Sequence, residues 1–248
     1  MTIYERLLAA KQKNGAGYLV LLDPDKQSDE KTVKMATQCE ENGVDALLIG
    51  GSLLFSTHFD KLIEQIKRVV QIPVIIFPGS LRQISSFADA ILFLVLISGR
   101  NPANLIGEQV LAAPIIKALG IEPISTGYML IESGRATSAE FISNTRPIPR
   151  HKPDIAIAHA LAAEYMGMKF AYLEAGSGAE LMVPDELISA VTANASIEII
   201  VGGGIREPKD AQAKVQAGAS FVVIGNALEK DVGSNLIREF ANVIHYKV

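Results

Sequence analysis

Two acidic residues and a lysine follow an apolar run that ends at Leu22, in the order Asp23-Pro24-Asp25-Lys26. Mg²⁺ prefers oxygen ligands and commonly binds one or two protein carboxylates, with water and substrate phosphates completing its shell. Ser52, which follows Gly50-Gly51 at the end of a second apolar run, offers a hydroxyl nearby. An Asp-Pro-Asp sequence alone is usually a turn with a capping acid. The prediction of a metal site is therefore specific only when it is combined with the other motifs of the chain.

Glycine-rich segments close two later apolar runs. They are Gly202-Gly203-Gly204, which precedes Ile205-Arg206, and Gly225-Asn226. Glycine lets backbone N–H groups approach an anion closely, and a helix that begins after such a loop adds a favourable dipole. The glycines of either segment alone could equally make a tight turn. Two such segments in succession predict a phosphate-binding cup.

A phenol, a carboxylate and two glycines lie together in Tyr172-Leu173-Glu174-Ala175-Gly176-Ser177-Gly178. Side chains alternate between the two faces of a strand, so Tyr172 and Glu174 share one face. The alternative is that the phenol only packs and the acid is a solvated loop residue. The neighbouring Gly-x-Gly favours a functional role for both beside the phosphate cup.

Short β-branched runs alternate with helical patterns along the chain, as is typical of parallel strands joined by helices. Eight such units in 248 residues predict a single α/β domain, a (β/α)8 barrel of the TIM type over residues 1–248. An open doubly wound sheet is the structural alternative. In a barrel the C-terminal ends of the strands meet at one face, where the motifs above would converge. The predicted strands are 18–22, 46–49, 74–77, 91–97, 121–130, 170–173, 198–201 and 221–224, and helical patterns occupy 32–42, 59–70, 155–165 and 209–217.

The segment between the third and fourth strands is short. Pro78-Gly79-Ser80 and residues 81–89 leave little room for a full helix. We therefore expect one helix of the ring to be reduced or missing after the third strand.

The composition narrows the classes of partner. The net charge of -4 provides no broad cationic surface, which argues against nucleic acid. The single cysteine, Cys39, excludes an intrachain disulfide framework and is consistent with a reducing cytoplasm. The longest apolar run, residues 90–97, has eight residues, whereas a membrane-spanning helix needs roughly 18 to 20. The N-terminus also lacks the pattern of a secretory signal. We expect a soluble, cytoplasmic protein without a transmembrane segment.

The motifs around Asp23, Gly50-Gly51-Ser52, the Tyr172 to Gly178 block and the two glycine-rich ends occur in the order seen in geranylgeranylglyceryl phosphate synthases. The chain resembles that family from about residue 17 to residue 230, and the Tyr-Leu-Glu-Ala-Gly-Ser-Gly block is the most specific part of the likeness. The resemblance implies a barrel enzyme that joins sn-glycerol 1-phosphate to a polyprenyl diphosphate, with Mg²⁺, and releases pyrophosphate. Geranylgeranyl diphosphate is the first candidate, and related bacterial enzymes use heptaprenyl diphosphate.

The same resemblance implies the site residues. Asp23 and Ser52 take the magnesium positions. The glycerol phosphate site comprises Tyr172, Leu173, Glu174, Ala175, Gly176, Ser177, Gly178, Gly203, Gly204, Gly225 and Asn226. The chain departs from one branch of the family in having Leu21 where that branch has lysine. Lys26, or a base from residues 146–152, would have to supply the missing charge.

The reaction requires a group that takes a proton from the attacking hydroxyl. We assign this role to Glu174, with Tyr172 orienting the hydroxyl. Arg100 is a candidate contact for the diphosphate, although a solvated loop arginine is an equal interpretation. The prenyl chain needs a long apolar groove, to which Leu92, Leu94 and Leu96 or their alternates and residues 77–81 are placed to contribute.

Two other functions fit part of the pattern. A phosphate-cup barrel could be an isomerase or lyase acting on a phosphorylated sugar or indole precursor, but such an enzyme would need neither the Asp23 motif nor an apolar lining. A barrel that only binds phosphate or lipid is the third possibility.

The region after Pro102 is more apolar than a solvent-facing helix requires, which predicts a homo-oligomer. A core-facing stripe explains much of the pattern too. The apolar positions are Leu105, Ile106, Val110, Leu111, Ile115, Ile116 and Leu119.

Overall fold

Eight parallel strands close into a barrel in sequence order, with β8 paired to β1. The computed structural model describes residues 1–80, 83–229 and 234–247. The closed sheet confirms the predicted β/α barrel over the open-sheet alternative. Each predicted strand is present, with bounds within two residues of the prediction. The strands are β1 (Gly17–Leu22), β2 (Ala46–Ile49), β3 (Val74–Ile76), β4 (Ala90–Val95), β5 (Glu122–Leu130), β6 (Phe170–Glu174), β7 (Glu198–Gly202) and β8 (Phe221–Ile224).

Helices alternate with the strands and pack around the outside of the barrel. The four helices predicted by pattern are found within three residues of the expected bounds. The described chain contains α1 (Ile3–Asn14), α2 (Asp29–Glu41), α3 (Phe59–Val69), α4 (Glu108–Leu119), α5 (Ser138–Ser143), α6 (Pro153–Tyr165), α7 (Asp185–Asn194), α8 (Pro208–Gln216) and α9 (Ser234–Ile244). One turn of π-helix, Ala103–Gly107, leads into α4.

The connection from β3 to β4 has no helix in its described residues, 77–80 and 83–89. This confirms the expected gap in the ring. Leu81 and Arg82, which belong to the same predicted segment, lie outside the described residues. The outer face of β4 is consequently not covered by a helix of this connection.

Apolar side chains form two layers, one inside the barrel and one between the strands and the helices. The inner layer is closed at the N-terminal end of the strands by α1. Leu7 of α1 packs against the inner layer, and the ring of Tyr4 meets Phe170 edge-on at 5.4 Å between centroids. The carboxylate of Glu122 accepts the amide hydrogens of Ile3 and Tyr4, at 2.5 and 3.0 Å. The N-terminal end of the barrel is closed in this way, whereas the predicted site residues lie at the opposite, C-terminal end.

None of the helices in the described ranges is both long enough and apolar enough to cross a membrane.

Candidate active site at the C-terminal end of the barrel

Glu174 is the last residue of β6 and is almost completely buried, with 5% of its surface exposed. Its Oε1 accepts the amide hydrogen of Gly176 at 2.5 Å. Burial raises the pKa of the carboxyl to about 7, because a charged group loses its hydration, and the bond from Gly176 offsets only part of this effect. The group therefore changes protonation state near neutral pH, as a general base at this pH must.

Tyr172 lies two residues earlier on the same inward face, as the strand alternation predicted. It is fully buried in the inner layer. Its hydroxyl lies beside the Glu174 carboxylate but makes no hydrogen bond of standard geometry to any described residue. Burial raises the pKa of the phenol well above its usual value, and the charge of Glu174 adds to the effect. The hydroxyl is therefore close enough to Glu174 to interact with it, and it has no well-aligned partner in the described chain.

The loop after β7 approaches Glu174 so closely that only glycine fits. Gly203 has a φ of +87°, and a Cβ at this position would overlap Oε1 of Glu174 and the backbone of Gly176. Such a conformation is readily available only to glycine. The loops after β6 and β8 are joined by a hydrogen bond from the Ser177 hydroxyl to Oδ1 of Asn226, at 3.0 Å. The three predicted loops therefore meet and form one concave rim.

Backbone amides at this rim are free to bind an anion. Within the described chain, the amides of Ser177, Gly178, Gly203 and Gly204 donate no hydrogen bond to protein. Asp210 of α8 accepts the amide hydrogens of Arg206 and Glu207, which precede the helix, at 3.4 and 3.1 Å. The free donors at the rim are consequently loop amides, and the contribution of a helix N-terminus stays a prediction. We call these loops, residues 176–178, 203–204 and 225–226, the anion cup.

Asp23 lies on the same rim, after β1. It is half-buried, and its carboxylate packs against Gly51, where a Cβ would come within 3.1 Å of Oδ2. Burial raises the pKa of Asp23, while the amide of Asp25 and the charge of Lys26 act in the opposite direction. Ser52 directly follows Gly51, so the two predicted magnesium positions lie on adjacent loops.

A buried glutamine holds the backbone next to Asp23. Gln83 accepts the amide hydrogen of Gly51 at 3.2 Å and donates from Nε2 to its carbonyl at 2.8 Å. Sequence analysis missed this residue, because nothing in the sequence places Gln83 beside a loop thirty residues earlier.

Asp25, the second carboxylate of the Asp23-Pro24-Asp25 motif, stabilises a neighbouring loop. Asp25 accepts the amide hydrogens of Phe55 and Ser56, at 2.7 and 2.8 Å, and so holds the loop that follows Ser52. Among the described residues, no group of three or more His, Cys, Asp or Glu side chains could hold a metal. One carboxylate and one hydroxyl do not form a complete protein cage. They do fit Mg²⁺, which takes few protein ligands and completes its shell with water and substrate phosphates.

A cavity of about 200 Å³ begins at Gly51 and Ser52 and runs along β3 and β4, beneath the gap in the helix ring. Of the predicted lipid-facing positions, Leu92, Leu94, Leu96 and residues 77–80 lie in its wall, whereas Leu81 lies outside the described residues. Helices α4 and α5 form its far side. The lining is mainly apolar and includes Phe77, Pro78, Gly79, Ile91, Leu92, Leu94, Leu96, Tyr128, Leu130 and Ile142. We call this cavity the apolar groove.

Aromatic rings separate the apolar groove from the anion cup. Phe77 stacks on Tyr172 with 5.5 Å between centroids, and Tyr128 meets Tyr172 edge-on at 5.3 Å. Phe77 and Tyr128 line the groove, whereas Tyr172 faces Glu174. Tyr128 belongs to no motif of the sequence. It lies in β5, and the strand pairing places it directly opposite Tyr172.

The candidate basic residues have different surroundings. Lys26 acts electrostatically on Asp23, and Arg150 lies 3.4 Å from the carbonyl of Met182, on the loop that continues from the cup. Arg100 donates from Nη1 to the carbonyls of Ile97 and Gly99, within its own loop. Its contact with a diphosphate stays a prediction. Leu21 packs with the inner layer beside Gly225, so no cation occupies that position.

Several known proteins are similar to this chain in sequence and in fold. A geranylgeranylglyceryl phosphate synthase from Chitinophaga pinensis is 45% identical over 98% of this chain and 96% of its own length. One from Flavobacterium johnsoniae is 48% identical over 93% of this chain and 95% of its own length. The crystal structure of (S)-3-O-geranylgeranylglyceryl phosphate synthase from Thermoplasma acidophilum, in complex with its substrate sn-glycerol-1-phosphate, superposes with a TM-score of 0.93. It is 35% identical and covers 99% of both chains.

The family model named PcrB matches residues 9–244, which is nearly the whole chain. Together with the identities above, this match confirms the resemblance found in the sequence motifs. The chain belongs to the PcrB family.

Proposed function

We propose that this protein is a prenyltransferase that joins sn-glycerol 1-phosphate to a polyprenyl diphosphate, with geranylgeranyl diphosphate the first candidate, in the synthesis of ether lipids. The observation that carries the proposal is the buried Glu174–Tyr172 pair, which lies between an anion cup and an apolar groove. A phosphate would occupy the cup and a prenyl chain the groove. The relatives named geranylgeranylglyceryl phosphate synthase, and the solved relative that holds sn-glycerol-1-phosphate, support the same assignment.

The reacting groups meet at Glu174. With the phosphate held by the cup amides, a glycerol hydroxyl would lie against the carboxylate, and the Tyr172 hydroxyl would fix its orientation. The hydroxyl oxygen forms a bond to the allylic carbon, whose bond to the diphosphate breaks. The proton passes to Glu174, and the electron pair leaves with the pyrophosphate. A pKa of about 7 suits this exchange, because the carboxyl can accept and later release the proton near neutral pH.

Magnesium would lie beside the leaving diphosphate. Asp23 would bind it with a carboxylate oxygen and Ser52 with its hydroxyl. When bound, Mg²⁺ supplies positive charge to the developing pyrophosphate. Asp25 and Gln83 contribute by holding the two loops on which these ligands lie.

The apolar lining of the groove favours this function over an isomerase or lyase acting on a phosphorylated sugar, whose substrate would present hydroxyl groups to that wall. We assign the reaction to the cytoplasm. Cys39 is a buried free thiol, in keeping with a reducing compartment.

We also propose that the protein forms a homo-oligomer through the outer face of α4. Five of the apolar positions predicted for an interface expose 42–61% of their surface, whereas Leu105 is half-buried and Ile116 faces the core. Exposed apolar residues in such a row are typical of contact surfaces. The five are Ile106, Val110, Leu111, Ile115 and Leu119.

The central test is a transfer assay. The purified protein, sn-glycerol 1-phosphate, Mg²⁺ and prenyl diphosphates of increasing length are combined, and pyrophosphate and ether product are measured. We expect release of pyrophosphate with sn-glycerol 1-phosphate and a much lower rate with its mirror image, sn-glycerol 3-phosphate. Absence of product with every prenyl length would contradict the proposed function.

Glu174→Gln removes the proton acceptor but preserves the shape of the side chain. We expect kcat to fall about 10²- to 10⁴-fold, the usual contribution of a general base. In the wild type, kcat/KM should rise as the pH passes about 7 and level off above it, because the base acts in its deprotonated form. The variant should lose this rise. Glu180→Gln, which changes an exposed acid on the same loop, is the control. A kcat within a few-fold of wild type in Glu174→Gln would exclude this role.

Asp23→Asn should raise the Mg²⁺ concentration needed for half-maximal rate by at least tenfold, because a neutral amide binds the ion less tightly than a carboxylate. Binding of sn-glycerol 1-phosphate alone should change little. The measurement is a magnesium titration of the rate after chelation, with Asp60→Asn, an exposed acid of α3, as control. An unchanged titration curve would remove Asp23 from the metal site.

Light scattering at micromolar concentration tests the oligomer. We expect a mass that is a multiple of 26.6 kDa for the wild type and a shift toward the monomer for Val110→Glu, which introduces a charge on the exposed face. A wild-type monomer would end this part of the proposal.

A further inference from the structure

Two exposed arginines donate hydrogen bonds to the loop after β6 that forms part of the anion cup. Arg135, in the loop between β5 and α5, donates from Nη2 to the carbonyl of Gly178 at 2.7 Å. Arg206, in the loop between β7 and α8, donates from Nη2 to the carbonyl of Ala179, also at 2.7 Å. Both side chains are exposed, and neither forms an ion pair with a described residue. The mechanism above uses neither of them.

The two bonds hold consecutive carbonyls at the end of a tight turn. The turn begins at Gly176, whose carbonyl accepts the amide hydrogen of Ala179 at 3.1 Å. Its two central residues, Ser177 and Gly178, present the amides that have no partner in the described chain. Gly178 has a φ of +68°, which gives the turn its shape. Anything that fixes the end of this turn also fixes the direction of the two free amides.

Each arginine joins the turn to a different loop of the rim. Arg206 follows Gly203 and Gly204, so its bond connects two of the three loops of the cup, as the Ser177–Asn226 bond connects the third. Arg135 connects the turn to the loop that follows β5. A charged donor makes a stronger hydrogen bond than a neutral one, which suits bonds exposed to water. Without them, backbone rotation in a turn with two glycines would disperse the amides.

We propose that Arg135 and Arg206 are positioning residues for the phosphate group of the glycerol substrate. They contact no reacting atom. They hold the turn at residues 176–179 so that the amides of Ser177 and Gly178 are already directed at the phosphate before it binds. Preorganised donors bind an anion more tightly because no ordering has to accompany binding. The inference rests on the proposed function, since it specifies how that substrate is recognised.

The test separates the two substrates kinetically. Arg206→Ala and Arg135→Ala should each raise the KM for sn-glycerol 1-phosphate by about three- to tenfold, the loss expected for one intramolecular hydrogen bond that is exposed to water. The KM for the prenyl diphosphate and the kcat should stay within twofold of wild type. Arg206→Lys, which keeps a charged donor, should recover most of the affinity. Arg6→Ala is the matched control, because Arg6 donates in the same way to the carbonyl of Gln71 far from the cup.

Calorimetric titration with inorganic phosphate gives a second measurement that does not depend on turnover. The Kd should rise in Arg206→Ala and Arg135→Ala and should be unchanged in Arg6→Ala. Wild-type KM and Kd values in both variants would overturn the proposal. So would an equal rise of both KM values together with a lowered Tm, because that pattern indicates damage to the fold. If the wild type itself transfers no prenyl group, the proposed function fails, while the phosphate titration still tests the positioning role.

Discussion

The burial of one carboxylate, Glu174, governs the arrangement of the site. Taking a charged group out of water is unfavourable, and the carboxyl responds with a pKa of about 7. The amide of Gly176 compensates in part, and this bond requires the chain to turn immediately after β6. The turn brings the amides of the cup next to the acid. The burial that raises the pKa of Glu174 thus also brings free backbone amides next to it, as the proposed function requires.

Close backbone approach is the second constraint, and it explains why glycines surround this acid. A side chain at Gly203 would displace either the Glu174 carboxylate or the loop after β6. Bringing loops this close leaves little room for side chains inside the cup, so its walls must be held from elsewhere. Arg135, Arg206 and Ser177 provide such bonds between the loops.

The sequence predicts the barrel, the gap in its ring and the strand ends well, because these features depend on local patterns. β-branched runs, glycines after strands and the short segment after β3 are all visible along the chain. Alternation within β6 also predicts that Tyr172 and Glu174 share a face. Contacts between distant loops cannot be predicted from local patterns. The hydrogen bonds from Gln83 to Gly51 and from the two arginines to the cup depend on how the loops fold back onto one another.

The gap in the helix ring has an energetic consequence for the groove. In a regular barrel a helix would cover β3 and β4, whereas here the cavity along them is lined mainly by apolar side chains. A hydrocarbon chain that fills this space gains roughly 0.8 kcal/mol for each methylene removed from water. The stacked rings of Phe77 and Tyr172 lie between the groove, where this hydrophobic free energy would arise, and the cup, where electrostatic interactions would bind an anion. Under the proposed function, the groove alone would therefore select the prenyl length, because the rings of Phe77 and Tyr172 keep it apart from the residues that would bind the phosphate.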